Sequence, residues 1–122
     1  MTTPIRLRLS RAKGFDLQAH SLATNGLPAV NVGRPSRWGN PFIVGKDGTR
    51  AECVSLYVKL TCMSLLCLSR LDNLSQQEAA LATVRKHRKE LRGHNLACWC
   101  PLPEPGQNDL CHAAVLLEIA NA

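Results

Sequence analysis

The sequence predicts an α/β fold: one small compact domain, 1–122, built on a short mixed sheet with about three helices. Three observations predict it. A chain of 122 residues is the size of one domain with a single modest core. Short runs with the period of strands are interspersed with longer stretches of helical period that carry start signals. No internal repeat and no inter-domain linker interrupts this order.

From the N-terminus, Ile5-Arg-Leu-Arg-Leu9 alternates apolar and basic residues, as a half-exposed strand does. Asn25-Gly26 is a turn pair that leads into a second strand at 27–32. The segment Gly33-Arg-Pro-Ser-Arg-Trp-Gly-Asn-Pro-Phe42 is a loop by composition, followed by a short strand at 42–44 and a turn at 45–48. Thr49 and Glu52 have the spacing of a capping box, in which each side chain satisfies the other's backbone N–H. The helix they open runs to about Leu68, with Val54, Tyr57, Val58, Cys62 and Leu65 on one face. Ser75 and Glu78 repeat the spacing and open a second helix, striped by Ala80, Val84, His87 and Leu91 and closed by Gly93. Residues 95–100 read as a short buried strand, and Pro101, Pro103, Pro105 and Gly106 as a stiff loop. Asn108 or Asp109 caps a last helix from Leu110 to Ala120.

Composition narrows the function classes. Lys and Arg number 15 against 9 Asp and Glu, a formal net charge of +6. All of that net charge falls in the first fifty residues, together with six of the eight glycines. A basic, loop-rich half implies an anionic partner. No run approaches the ~18 apolar residues of a membrane span. The N-terminal residues have no apolar signal-peptide core, so the expectation is a cytoplasmic protein without a membrane partner. Six cysteines then belong to a reducing compartment, where thiols pack cores, bind metals or react. Cys53, Cys62 and Cys67, in an apolar stretch, read as core residues.

Two segments carry candidate chemistry. In the 33–42 loop, Arg34, Ser36, Arg37 and Asn40 can hold a phosphate or ribose, and Trp38 can stack on a base. Gly33 and Gly39 let backbone N–H groups approach such a ligand. The same residues would also serve as a rigid turn whose Trp38 and Phe42 plug the core. The second segment combines Cys98, Cys100, Cys111 and His112. Three thiols and an imidazole match a zinc donor set, although the spacing is not that of a common zinc finger. Cys98 and Cys100, two apart, face one side of a strand. At a helix start, Cys100 or Cys111 as nucleophile with His112 as base would equally make a metal-free catalytic site. A third reading, buried thiols beside a capping His, stays open. Arg85, Lys89 and Arg92 share a helix face, either solvated or a contact for a phosphate backbone. His20, His87 and His94 carry no assignment.

These motifs carry a resemblance. The 33–42 loop, Leu91-Arg-Gly-His-Asn-Leu-Ala-Cys-Trp-Cys100 and Cys111-His-Ala-Ala-Val-Leu-Leu-Glu118 resemble a bacterial and phage family, domain-of-unknown-function family 4326. Its Arg-x-x-Trp-Gly-Asn-Pro-Phe, Cys-x-Cys and Cys-His signatures occur here in the same order, over most of the chain. The resemblance names no activity; it implies that the loop and the Cys/His cluster belong to one design. The chain departs from the pattern at His94, where relatives often have Lys, and at Ala114, where an Asp often follows Cys-His-Ala. The segment between Cys100 and Cys111 is also longer than usual.

The expected function is binding of a phosphate-bearing small molecule or nucleic acid (a nucleotide or nucleic-acid component), with hydrolysis or group transfer on it. The alternative is a non-enzymatic binding module for nucleotide, nucleic acid or protein, its Cys/His cluster held by zinc.

Overall fold

The computed structural model describes residues 2–122. Strand β1 (Arg6–Arg8), helix α1 (Leu17–Asn25) and strand β2 (Ala29–Asn31) come first. Helices α2 (Arg50–Met63) and α3 (Leu74–His87) follow, with 3-10 turns at Leu71–Asn73 and Arg88–Leu91. Strand β3 (Asn95–Cys98) and helix α4 (His112–Asn121) complete the chain.

The α/β class holds. The sheet is wholly parallel, in the order β1-β3-β2, so the last strand in sequence lies in the middle. Arg6 pairs with Leu96 and Arg8 with Cys98 on one side; Ala29 pairs with Asn95 and Asn31 with Ala97 on the other. All of Asn95–Cys98 is buried, as a central parallel strand covered on both faces requires. Its alternation sorts the layers. Leu96 and Cys98 pack with Val32, Trp38, Tyr57, Val84, Leu91 and Leu116 beneath α2, α3 and α4. Ala97 faces the other way, onto Leu7, Leu9, Ala29 and Leu17 of α1. Asn95 anchors the start of β3: its amide oxygen accepts from the Ile5 N–H (2.9 Å) and from Asn25, and its nitrogen donates to Ser21 and Asn25.

Several sequence expectations meet competing local chemistry. The helix at Leu17–Asn25 was not expected, yet its signals are present: Asp16 accepts from the Ala19 N–H, and Gly26 closes the end in the left-handed region, φ 80°. Asn25-Gly26 is therefore a helix end rather than a hairpin turn. The expected strand at 42–44 does not form. The Ile43 N–H donates to Asp47, and the Ile43 carbonyl takes the N–H groups of Lys46 and Asp47, so a turn consumes what a ladder would need. The capping box of Thr49 and Glu52 is formed, but α2 stops at Ser64, in the left-handed region, short of Leu68. Ser75 does not cap α3, which continues directly from the 3-10 turn with Asn73 at its cap. Helix α3 ends at His87, and Leu91 reaches the core from the 3-10 turn, so Arg85, Lys89 and Arg92 do not share one helix face. Arg92 instead holds the Ala120 carbonyl at the end of α4. The cap of α4 is Cys111, not Asn108 or Asp109. Of the three cysteines expected in the core, Cys53 is buried, Cys67 is half-buried and Cys62 is exposed.

Candidate functional site

The carboxyl ends of the strands converge. Cys98 ends β3, its carbonyl accepts from the Leu9 N–H just past β1, and Val32 follows β2 with its N–H on the Ala97 carbonyl. In α/β sheets this is the edge where ligands bind. Here Cys98 and Cys100 bring their sulfurs to 3.9 Å, and Cys111 reaches the same point from the start of α4. The three Sγ atoms lie within 4.8 Å of one another, so Cys98, Cys100 and Cys111 could hold a metal ion.

The thiols act as one ionising unit. Contact with the Cys100 and Cys111 sulfurs pushes Cys98 below the usual thiol range. Cys111 is pushed up by the same two neighbours and by burial. His112 stands beside them with its ring orientation fixed. Its Nε2 lies 2.7 Å from the Val32 carbonyl, which can only accept, so Nε2 carries the proton. In the neutral ring Nδ1 then presents a lone pair, 3.9 Å from the Cys111 sulfur. Tyr57 packs edge-on against the imidazole, with ring centroids 5.4 Å apart.

An arginine that the alternating pattern hid holds the cluster's loop. Arg6 reads as the exposed face of a strand, yet its side chain is only 4% exposed. It bridges Asp109 at 2.8 and 2.7 Å and donates to the carbonyls of Cys100 and Pro101, each at 2.6 Å. Both ends of the proline-rich loop are thereby tied to β1, and Cys100 is presented opposite Cys111.

A cavity of about 280 Å³ opens beside the thiols. Arg11, Arg34 and Arg50 line it together with Cys98, Cys100, Trp99, Asn40 and His112, and among the described residues no carboxylate does. Arg34 crosses its loop to the Asn40 carbonyl (3.2 Å), which requires Gly39: a Cβ there would stand 2.7 Å from Arg34 Cγ. Arg50 donates to the Leu110 carbonyl at 2.9 Å.

Of the expected ligand-binding residues, Arg34, Ser36, Arg37 and Asn40 line one recess against α3, and only Arg34 and Asn40 also reach the cavity beside the thiols. Arg34 and Asn40 line the cavity, although Asn40 is buried and spends its side chain on the Phe42 N–H and the Cys53 carbonyl. Ser36 and Arg37 line only the recess against α3, which they share with Arg34 and Asn40. Arg37 pairs with Glu90 at 3.0 Å, while the Ser36 hydroxyl accepts from the Trp38 N–H. Trp38 is buried among Tyr57, Val84 and Leu91, with the Arg37 guanidinium carbon 5.3 Å from its ring centroid. Sequence reasoning overlooked Arg11, Arg50 and Trp99. Trp99 was hidden by its position between two conspicuous cysteines, and Arg50 by the capping box that it follows.

The chain is thus a small α/β protein with a thiol cluster at the carboxyl edge of a parallel sheet. It belongs to the family described as Domain of unknown function (DUF4326), whose model matches residues 16–122. Arg6, which ties the cluster's loop, lies outside the matched span. Neither a curated protein nor a solved structure matches the chain.

Proposed function

We propose that the protein binds a phosphate-bearing ligand, a nucleotide or nucleic-acid component, in the cavity beside the thiol cluster, and that zinc held by that cluster forms the cavity's wall. The observation that carries this reading is the lining itself: Arg11, Arg34 and Arg50 meet Cys98, Cys100 and His112 in one space without a carboxylate. Guanidinium groups are the donors best matched to phosphate oxygens.

The donor set fits zinc. Tetrahedral thiolate ligands at ~2.3 Å have edges of ~3.8 Å. The Cys98 to Cys100 separation is 3.9 Å, and the three sulfurs of Cys98, Cys100 and Cys111 lie within 4.8 Å of one another. Cys98, Cys100 and Cys111 would be ligands; His112 Nδ1, 3.9 Å from Cys111 but outside the three-sulfur group, would move in as the fourth, with the Val32 carbonyl orienting the imidazole from behind. With His112 as the fourth ligand the site would be closed and structural, which favours a binding module. A cytoplasmic, reducing setting would keep the thiols available for the metal. Hydrolysis or group transfer on the ligand is the second reading. It is favoured by Cys98, Cys100 and His112 opening onto the same cavity as Arg34.

Elemental analysis of freshly purified, reduced protein tests the metal. About one zinc per chain is expected, lost in Cys111→Ser; metal-free protein ends that part of the reading. A thermal-shift titration with inorganic phosphate, pyrophosphate and nucleoside monophosphates tests the cavity, because a ligand that binds the folded state raises its melting point. Stabilisation that Arg34→Ala weakens is expected. No stabilisation by any of the three rules the reading out.

A further inference from the structure

Trp99 is an exposed aromatic in a place that ought to be buried. It follows directly on the central strand, yet it is 41% exposed, whereas the other tryptophan, Trp38, is 5% exposed. A single exposed apolar side chain needs no explanation. Trp99, however, is the wall shared by two basic recesses. One is the cavity that holds Arg34 and Arg50; the other, of about 330 Å³, is lined by Arg8, Leu9, Ser10 and Arg11. Arg11 belongs to both, and its guanidinium carbon lies 4.8 Å from the centroid of the indole. Among the described residues none of Arg8, Arg11, Arg34 and Arg50 is in an ion pair. Neither recess has an acidic residue in its lining. An accessible indole with arginines on either side is the arrangement by which proteins hold a base and its phosphates together: the ring offers a face, the guanidinium groups offer donors.

We propose that Trp99 is a nucleobase platform, so that the phosphate-bearing ligand is one that carries a base: the base stacks on Trp99 and its phosphate reaches Arg34 and Arg50. This deepens the reading of the cavity and rests on it. Arg11, exposed and held only over the ring, is the group that yields the face to the base and turns to the phosphate. Trp99 therefore takes the stacking role for which the sequence offered Trp38, and the specificity it confers is for a planar aromatic group rather than for one base, because every base has a π face.

The test uses the whole protein and its own fluorescence, since Trp99 is within reach of a ligand and Trp38 is buried. The probes are the four common nucleoside 5′-monophosphates, ribose 5-phosphate, inorganic phosphate and a 5′-phosphorylated trinucleotide. Monophosphates are expected to quench tryptophan emission and to bind about tenfold or more tighter than ribose 5-phosphate, which has the phosphate and sugar without the base. In isothermal titration calorimetry, which needs no indole reporter, Trp99→Leu is expected to bring nucleotides down to the ribose 5-phosphate level, and Trp99→Phe to retain most of the difference. Circular dichroism checks that both variants are folded. The trinucleotide separates the two sources of such a ligand: tighter binding than the monophosphates indicates the end of a strand, equal or weaker binding a free nucleotide. Equal affinity for nucleotides and ribose 5-phosphate, unchanged in Trp99→Leu, overturns the platform and leaves phosphate binding standing. If inorganic phosphate, ribose 5-phosphate and nucleotides all fail to bind, the cavity reading falls and the platform with it.

Discussion

Arg6→Met removes the cation that ties β1 to the loop between Cys100 and Cys111, and its cost follows from the contacts. Four hydrogen bonds leave the guanidinium, two to the Asp109 carboxylate and two to the carbonyls of Cys100 and Pro101. Counted singly at ~1.5–3 kcal/mol for charge-assisted bonds they overstate the effect, because water recovers some of the orphaned groups. Removing one partner of a buried ion pair costs ~3–5 kcal/mol. The arginine side chain is 4% exposed but Asp109 is 17% exposed, so the carboxylate regains part of its hydration and the lower end applies. The expectation is a loss of about 3 kcal/mol, a large share of the ~5–15 kcal/mol that holds a domain together. At ~4 °C per kcal/mol for a chain of this size, the melting point falls by about 12 °C. Urea unfolding followed by far-ultraviolet circular dichroism measures it, with Asp109→Asn and the double variant completing a cycle. The pair is expected to show a coupling of about 1–3 kcal/mol. A loss below about 1 kcal/mol, or strict additivity in the cycle, would refute the reasoning and make the contact an ordinary surface pair.

Two further outcomes are expected. Asn95→Ala strips partners from the Ile5 N–H, Ser21 and Asn25 in the interior, and should cost about 3 kcal/mol by the same unfolding assay; a cost under ~1 kcal/mol would mean that water replaces the amide. Glu52 is held below the usual carboxylate range chiefly by the hydrogen bond from the Thr49 backbone. A carboxyl depressed in the fold contributes stability above its unfolded pKa and loses it as the pH falls through the folded value. Glu52→Gln should therefore melt lower than the wild type at neutral pH, and the gap should close in acid. A gap that stays constant with pH would exclude an ionic capping box.

How far the sequence reveals the molecule depends on whether a signal is local. The Thr49 and Glu52 box lies within one helical turn, and the structure contains it. The Cys98 and Cys100 pairing follows from strand alternation, and their sulfurs meet. The strands at both ends of the chain are where alternation and apolarity place them. What was hidden depends on partners distant in sequence. Arg6 reads as a solvated strand face because nothing nearby announces Asp109, more than a hundred residues away. Asp109 reads as a cap for the same reason; its carboxylate is committed to Arg6, and Cys111 takes the cap position. Trp38 and Trp99 have equal claims by residue type, and only the packing of α3 and the 3-10 turn decides which one is covered. Asn25-Gly26 is ambiguous in itself, because a left-handed glycine ends a helix as readily as it turns a hairpin.

The central place of β3 has a consequence for biosynthesis. β1 and β2 touch no strand but β3, so two strands made early must wait as unpaired segments until residues 95–98 leave the ribosome. Such distant pairing slows folding and leaves strand edges open in the meantime. A nascent chain halted before β3 would therefore have helices but no sheet to set them on. The last quarter of the polypeptide, which carries β3, decides whether the first three-quarters can build its sheet.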